Sequence, residues 1–381
     1  MKKILLIMTV IFITLYGCKK FSVPVAPDTA QATATPLSNV QITQTAIALQ
    51  TAGLAAQQTA TMQAQQTATA QATQTATAVM TVDSAAIVSV PGGTFTQSDG
   101  TNSFSHTIST FKMGKYQVTY DLWYTVYQWA IINGYTFANA GREGAEGTIG
   151  LVPTNIKYEP VTTVNWRDAI VWCNAYSQKS GLTPVYCSDA GLTTPIKDST
   201  NGAYGSSVNT TAGSFDNPYV NWSTNGYRLP TEGEYQYAAS YKDGTSWTPY
   251  NYASGATASY DNVMATGLVG WYSGNSWDNR NYYVGYITHN VGGKTANSLG
   301  IYDMSGNVWE WCWDWYDNYP GTSTNYRGPT SGGLYSGRVM RGGGYDDGAD
   351  GLQVGYRYDY VGDDYPSFAF DYNGFRFART Y

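Results

Sequence analysis

Histidine is scarce in this chain: His106 and His289 are the only two among 381 residues. Two scattered imidazoles do not build a histidine-based metal centre. Cysteine is nearly as rare, and Cys18, Cys173, Cys187 and Cys312 lack the close paired spacing of a zinc site. Charged residues make up only 13% and the net charge is −6, so a basic nucleic-acid footprint is absent. No Gly-x-Ser-x-Gly elbow marks a serine nucleophile. The apolar run from Ile4 to Leu15 is about a dozen residues, too short to span a bilayer comfortably.

What is abundant is aromatic and small. Tyrosine reaches 34, tryptophan 12 and glycine 41. Aromatic and glycine richness with few charges is the texture of loop-rich, exported proteins. The N-terminus fits that texture. Lys2 and Lys3 precede the apolar run, which closes on Leu15-Tyr16-Gly17-Cys18. This order of a positive region, an apolar region and a cleavage site is that of a signal peptide. The closing tetrapeptide resembles a bacterial lipobox, in which the cysteine becomes the acylated first residue of the mature chain. Residues 1–17 are therefore expected to be a lipoprotein signal peptide, with Cys18 lipidated and anchored to a membrane without spanning it. Residues 18–82 are built from Ala, Gln and Thr, as in Gln66-Thr67-Ala68-Thr69-Ala70. Such a composition buries too little apolar surface to form a core, and a stalk or linker is expected.

From residue 83 onward the sequence reads as a globular domain. Ile87 to Val90 and Thr94 to Phe95 flank Pro91-Gly92-Gly93, a strand, turn and strand pattern, and Phe111 to Val118 reads as another strand. Thr119 is placed to cap a helix running to about Ile132, with Gly134 beyond its end. Asn165 caps a second helix with Trp166, Ala169, Ile170 and Cys173 on one face and Gly181 as its stop. Thr231 and Glu234 form a capping box that opens a short third helix to about Tyr241.

Several of these landmarks occur in a telling order. They are Val90 to Phe95; Val118-Thr119; Pro160-Val161 with Asn165-Trp166 and Ala169; Tyr227 to Glu232; Gly300 to Trp311; Arg341-Gly342-Gly343; and Gly374-Phe375-Arg376. In this order they resemble the formylglycine-generating-enzyme, or sulfatase-modifying-factor, family. The resemblance covers roughly residues 85–381. It implies an α+β, C-type-lectin-like fold with much irregular structure. It also implies a structural calcium ion held at positions matching Asp303, Gly306, Val308 and Glu310, oxygen donors of the kind calcium takes. No other cofactor is required. Trp309 and Trp311 read as core aromatics, and Thr231 and Glu234 as caps.

Family enzymes that make formylglycine use two cysteines shortly after the Arg-Gly-Gly motif. Here the segment Gly344 to Leu352 holds none, so catalysis is not expected. An oxidase of the formylglycine-generating type, or a degenerate form of one, is the alternative. Residues 345–373 are dominated by Asp, Tyr, Gly, Ser, Phe, Ala and Val, while Lys, Glu, Trp and Met do not appear. All the residue types in that set are one or two adenine changes from an Asn codon. This resembles the variable region, here about 338–379, of lipoproteins diversified by retroelements. As a ligand-binding surface the same residues make physical sense, because tyrosine offers large contact area with few rotatable bonds. Tyr345, Asp346, Asp347, Asp350, Tyr356, Tyr358, Asp359, Tyr360, Tyr365, Phe368, Phe370, Asp371 and Tyr372 are expected to bind the ligand, most of them solvent-accessible and gathered on one face. Asp363 and Asp364 add to its acidity, which favours basic or amine-bearing partners. Arg357, Pro366 and Gly374 read as scaffold. The expected function is display at the cell envelope, binding a protein or cell-surface ligand.

Overall fold

The computed structural model describes residues 82–202, 205, 207–278, 285–333, 336–358 and 365–381. The expected signal peptide, Cys18 and the stalk lie outside the described residues, as do Asp359, Tyr360, Asp363 and Asp364. Residues 81–380 belong to one compact unit that continues to Tyr381. Among the described residues no helix is long and apolar enough to cross a membrane.

The unit is mixed α+β, with short strands and much irregular chain. Its first strands are β1 (Ile87–Val90), β2 (Gly93–Ser98), β3 (Ser103–Ile108) and β4 (Phe111–Gly114). The turn at Pro91-Gly92 does not make a hairpin: β1 pairs with β4, and β2 with β3. The strand expected to run to Val118 ends at Gly114. Beyond it the Lys115 N–H bonds to Ala86 and the Val118 N–H to Phe375, while the Gln117 side chain turns into the interior.

Helix α1 (Tyr120–Ile132) is capped by Thr119, whose hydroxyl accepts from the Leu122 N–H. The short pair β5 (Arg142–Glu143) and β6 (Val161–Thr162) follows. Helix α2 (Trp166–Lys179) opens with a full capping box, because Asp168 returns a bond to the backbone of Asn165. Twelve of its fourteen residues are buried, so it is a core helix and not an amphipathic surface one. The pair β7 (Tyr186–Cys187) and β8 (Tyr219–Val220) and the strand β9 (Tyr227–Arg228) precede helix α3 (Glu232–Ser240). In α3 the reciprocal Thr231 and Glu234 bonds are both present. Helix α4 (Val263–Val269) and the hairpin β10 (Trp277–Asp278) and β11 (Gly285–Tyr286) come next.

The centre of the molecule is β12 (Trp309–Trp315), buried at every position. The remaining strands are β13 (Ser323–Thr324), β14 (Arg338–Arg341), β15 (Asn373–Gly374) and β16 (Ala378–Thr380). β12 lies between β14, antiparallel, and β15, parallel. A four-stranded sheet has the order β1-β4-β16-β9. The larger core gathers Trp123, Trp166, Trp172, Trp311, Phe375 and Phe377 from α1, α2, β12 and the chain's last segment. The Trp123 and Trp172 rings stack 6.0 Å apart, and Phe375 meets both edge-on. Rings of this size dominate core energetics, each bringing a large apolar area out of water.

Candidate ligand-binding face

The late segment is held by its backbone. Arg341, fully buried at the end of β14, donates to the carbonyls of Val354 and Gly355 at 2.9 and 3.0 Å, and also to Tyr356. Arg357 is clamped by the Glu232 carboxylate at 2.6 and 3.0 Å and donates to the Asp317 carbonyl. Its guanidinium lies over the rings of Tyr316 and Tyr319, 4.2 and 4.5 Å from their centres. Gly342 and Gly343 enter the segment in the left-handed region, at φ 102° and 81°. A Cβ at Gly342 would meet the Tyr235 hydroxyl at 2.6 Å, so only glycine passes here. Further along, the Thr163 N–H bonds to the Phe370 carbonyl, and Asn165 Nδ2 to Ser367. Pro366 and Gly374 are buried.

The side chains this backbone carries are of three kinds. Tyr345 is a correction: it is buried, 6% exposed, and its carbonyl accepts from Ser276 Oγ. Tyr356, Tyr358, Tyr365, Phe368, Phe370 and Tyr372 are half-buried. Tyr356 and Tyr358 rest on Trp309, with ring centres 5.8 and 4.9 Å away. Tyr365, Phe368, Phe370 and Tyr372 form a ladder with successive spacings of 5.5, 5.6 and 5.0 Å. The aromatics are therefore only partly open to solvent.

The carboxylates are the more open group. Asp346 and Asp350 are exposed, Asp347 and Asp371 half-buried. Asp347 is pushed up to about 6, first by burial and then by the charge of Asp346, against bonds from the Gly344 N–H and the Trp309 side chain. Loss of hydration raises Asp346 as well, and Asp371 adds to that. Arg142 approaches Asp371 to 3.9 Å on the open side. Crowded carboxylates that raise one another's pKa favour a cation in their midst.

One wall was missed from the sequence. The Ser273 N–H bonds to the Asp347 carbonyl and Ser276 to that of Tyr345, so the chain leading into the β10–β11 hairpin is tied to the acidic segment. On that hairpin Trp277 and Tyr286 meet edge-on at 5.2 Å and stay 57% and 41% exposed. The aromatic residues Trp277, Tyr282, Tyr283 and Tyr286, close together in sequence, were the available signal.

The described thiols lie in the interior. Cys173, Cys187 and Cys312 are free and buried. Burial raises all three, Cys312 well above the ordinary range, and a thiol kept protonated is neither nucleophile nor metal ligand. Among the described residues no group of three or more His, Cys, Asp or Glu side chains is placed to hold a metal.

The positions expected to hold calcium do converge. The carbonyls of Asp303, Gly306 and Val308 and Oε1 of Glu310 lie 3.2, 3.1, 3.2 and 3.1 Å from one point. That point is the Nε2 atom of Gln117, a hydrogen-bond donor. These are hydrogen-bond lengths, longer than calcium–oxygen bonds of about 2.3–2.6 Å. A cation does not fit beside the two amide hydrogens while Gln117 holds this orientation.

A family model described as a sulfatase-modifying factor enzyme 1-like domain matches residues 71–381. A protein described as chaperone protein LppX, from Paenibacillus barcinonensis, is 32% identical over 70% of this chain and 80% of its own length. The formylglycine-generating enzyme of Streptomyces coelicolor is 32% identical, but over 33% of this chain and 38% of the enzyme. The solved structure of Treponema denticola variable protein 1 superposes with a TM-score of 0.56 at 28% identity, covering 77% of this chain and 95% of that one. Through its motifs, its fold and the span of the match, the chain belongs to the sulfatase-modifying factor enzyme 1-like domain family.

Proposed function

We propose that this protein is an envelope lipoprotein, anchored through Cys18, that binds a ligand on the face carried by residues 345–372 and performs no oxidase chemistry. The observation that carries this reading is the division of labour in that segment. Buried Arg341, Arg357 and Glu232 hold its backbone, while its aromatic and acidic side chains make a rim around Trp309. The likeness to a variable protein supports it, as does the buried state of the described thiols. Diversification of residues 338–379 by a retroelement is part of the proposal, and a near-copy of the coding segment beside a reverse-transcriptase gene is its genomic test.

The ligand is a basic protein or peptide surface. Asp346, Asp347 and Asp371 supply charge, and Tyr356, Tyr358 and Phe370 supply contact area. Peptide arrays probed with the full chain should enrich lysine- and arginine-rich sequences. The Asp346→Asn, Asp371→Asn double variant should lose that enrichment. Equal binding of acidic and basic peptides would sink this reading.

A second reading has one observation in its favour: the relative matched over most of its length is described as a chaperone. A client polypeptide would then occupy the same face. Suppression of aggregation of a denatured enzyme by the full chain, lost in the same double variant, distinguishes it from display.

A further inference from the structure

The loop from Asp303 to Glu310 is wound tightly. Asp303, Gly306 and Asn307 all take left-handed backbone, at φ 55°, 87° and 72°. The first two are unlike in cost: glycine adopts this conformation freely, and an aspartate does not. The carbonyls of Asp303, Gly306 and Val308, with the Glu310 carboxylate, form a cage of four oxygens around Gln117 Nε2. Gln117 comes from the far side of the molecule in sequence, just after β4, and is 1% exposed. A primary amide has only two hydrogens for those four acceptors.

The orientation of that amide is fixed by its neighbours. The backbone of His289 donates its N–H to Asn307 Oδ1 at 3.0 Å and accepts from Asn307 Nδ2 at 3.0 Å. Asn307 can therefore face Gln117 only with Nδ2, which donates to Gln117 Oε1 at 3.1 Å. With Oε1 so engaged, Nε2 is left to point into the cage. A reversed amide would bring a fifth oxygen against four others and set two N–H groups of Asn307 and Gln117 against each other.

The charge of Glu310 is also settled. Arg376 pairs with Glu310 through Nε at 2.6 Å and a second nitrogen at 2.7 Å. The Tyr235 hydroxyl bonds to the same carboxylate. The Asp303 carboxyl is engaged elsewhere, with Oδ2 accepting from the Gly292 N–H, and its Oδ1 has no partner. A neutral donor completes such a cage without adding charge.

We infer that Gln117 is a tethered substitute for a divalent cation: its amide group fills an oxygen cage that would otherwise take calcium, and folding of this chain needs no metal there. This inference stands apart from the ligand proposed for the late segment. The amide makes the cage independent of the calcium in the surrounding medium.

The test is thermal melting of the full chain in detergent, in calcium and in EGTA, with metal analysis after gel filtration. The natural chain should melt at the same temperature in both and carry no stoichiometric calcium. Gln117→Glu replaces the two N–H groups by a carboxylate, and Gln117→Ser empties the centre. Both should melt lower in EGTA and regain temperature with calcium, and bind it stoichiometrically. A natural chain that melts lower in EGTA, or that retains stoichiometric calcium, overturns the inference. So do two folded variants that are both indifferent to calcium. If Gln117→Glu does not fold, the calcium content of the natural chain and the Gln117→Ser response decide.

Discussion

Arg376 is fully buried, and its partner Glu310 stands 66 positions earlier with no exposure of its own. The guanidinium also donates to the carbonyls of Tyr302 and Asp303. Taking one member of such a pair away leaves the other as a buried, uncompensated charge, which costs about 3–5 kcal/mol. Arg376→Met should lose stability on that scale by urea denaturation. The double variant with Glu310→Gln should recover part of it, and a double loss equal to the sum of the two single losses would show that the pair is not coupled. His106 holds off its proton to a lower pH than an exposed imidazole does. Its Nδ1 faces Gln97 and its Nε2 accepts from the Tyr326 N–H, and burial lowers it to about 4. The unfolded chain, with an ordinary value near ~6.5, takes up the proton first. Stability from the neutral ring is complete above that value and is lost as pH falls toward the lowered one. The stability gap between the natural chain and His106→Gln should therefore narrow from about pH 7 to about pH 5. None of these pairings was legible in the sequence. Glu310 and Arg376 both stood in recognisable motifs, but nothing local says that one charge exists for the other.

Elements were legible where their cause is local. Thr119, Asn165 and Thr231 announced three helices because a cap acts within one turn. Strand pairing was not, because β1 finds β4, β4 finds β16, and β12 runs parallel to β15. Those choices are made by core packing between segments well separated in the chain. The Asn165 box also shows what a local reading omits. Asp168 closes it, and the same carboxylate accepts from the Ala138 N–H, Asn139 Nδ2 and Ser199 Oγ. It is therefore a tie between α2 and two loops. Thr231→Ala should cost about 1 kcal/mol. Asp168→Ala should cost about 2–4 kcal/mol, because several buried donors lose their acceptor together. Equal losses in chemical denaturation would mean that Asp168 is a cap and nothing more.

On the scale of the whole molecule, the face and the core share residues. A paratope of fully exposed tyrosines would be free to vary, and the residue alphabet alone suggested one. The half-burial of Tyr356 and Tyr358 on Trp309 changes that expectation. Tyr356→Ala with Tyr358→Ala should lower stability by about 2–4 kcal/mol as well as weaken binding. Asp346→Asn with Asp350→Asn should leave stability within about 0.5 kcal/mol, since both side chains are exposed. Denaturation curves for the two double variants test the contrast, and similar losses would place all four residues in one category. The family and its fold were readable from ordered motifs, because those motifs are the scaffold itself. The burial of Tyr345 and the Trp277 wall were not, because both depend on which loops meet.

The position of β16 has a consequence for quality control. It lies between β4 and β9, inside the four-stranded sheet, and Phe375, Arg376 and Phe377 just before it are buried in the core. The late segment is thus translated before the strand that completes the fold. A stop codon or a shifted reading frame anywhere in residues 345–373 deletes Arg376 and β16 together. Such a chain loses β15 as well, leaves edges of β4, β9 and β12 and the Glu310 charge without their partners, and is expected to be degraded. Every copy that reaches its folded form has been read in frame through residues 345–373.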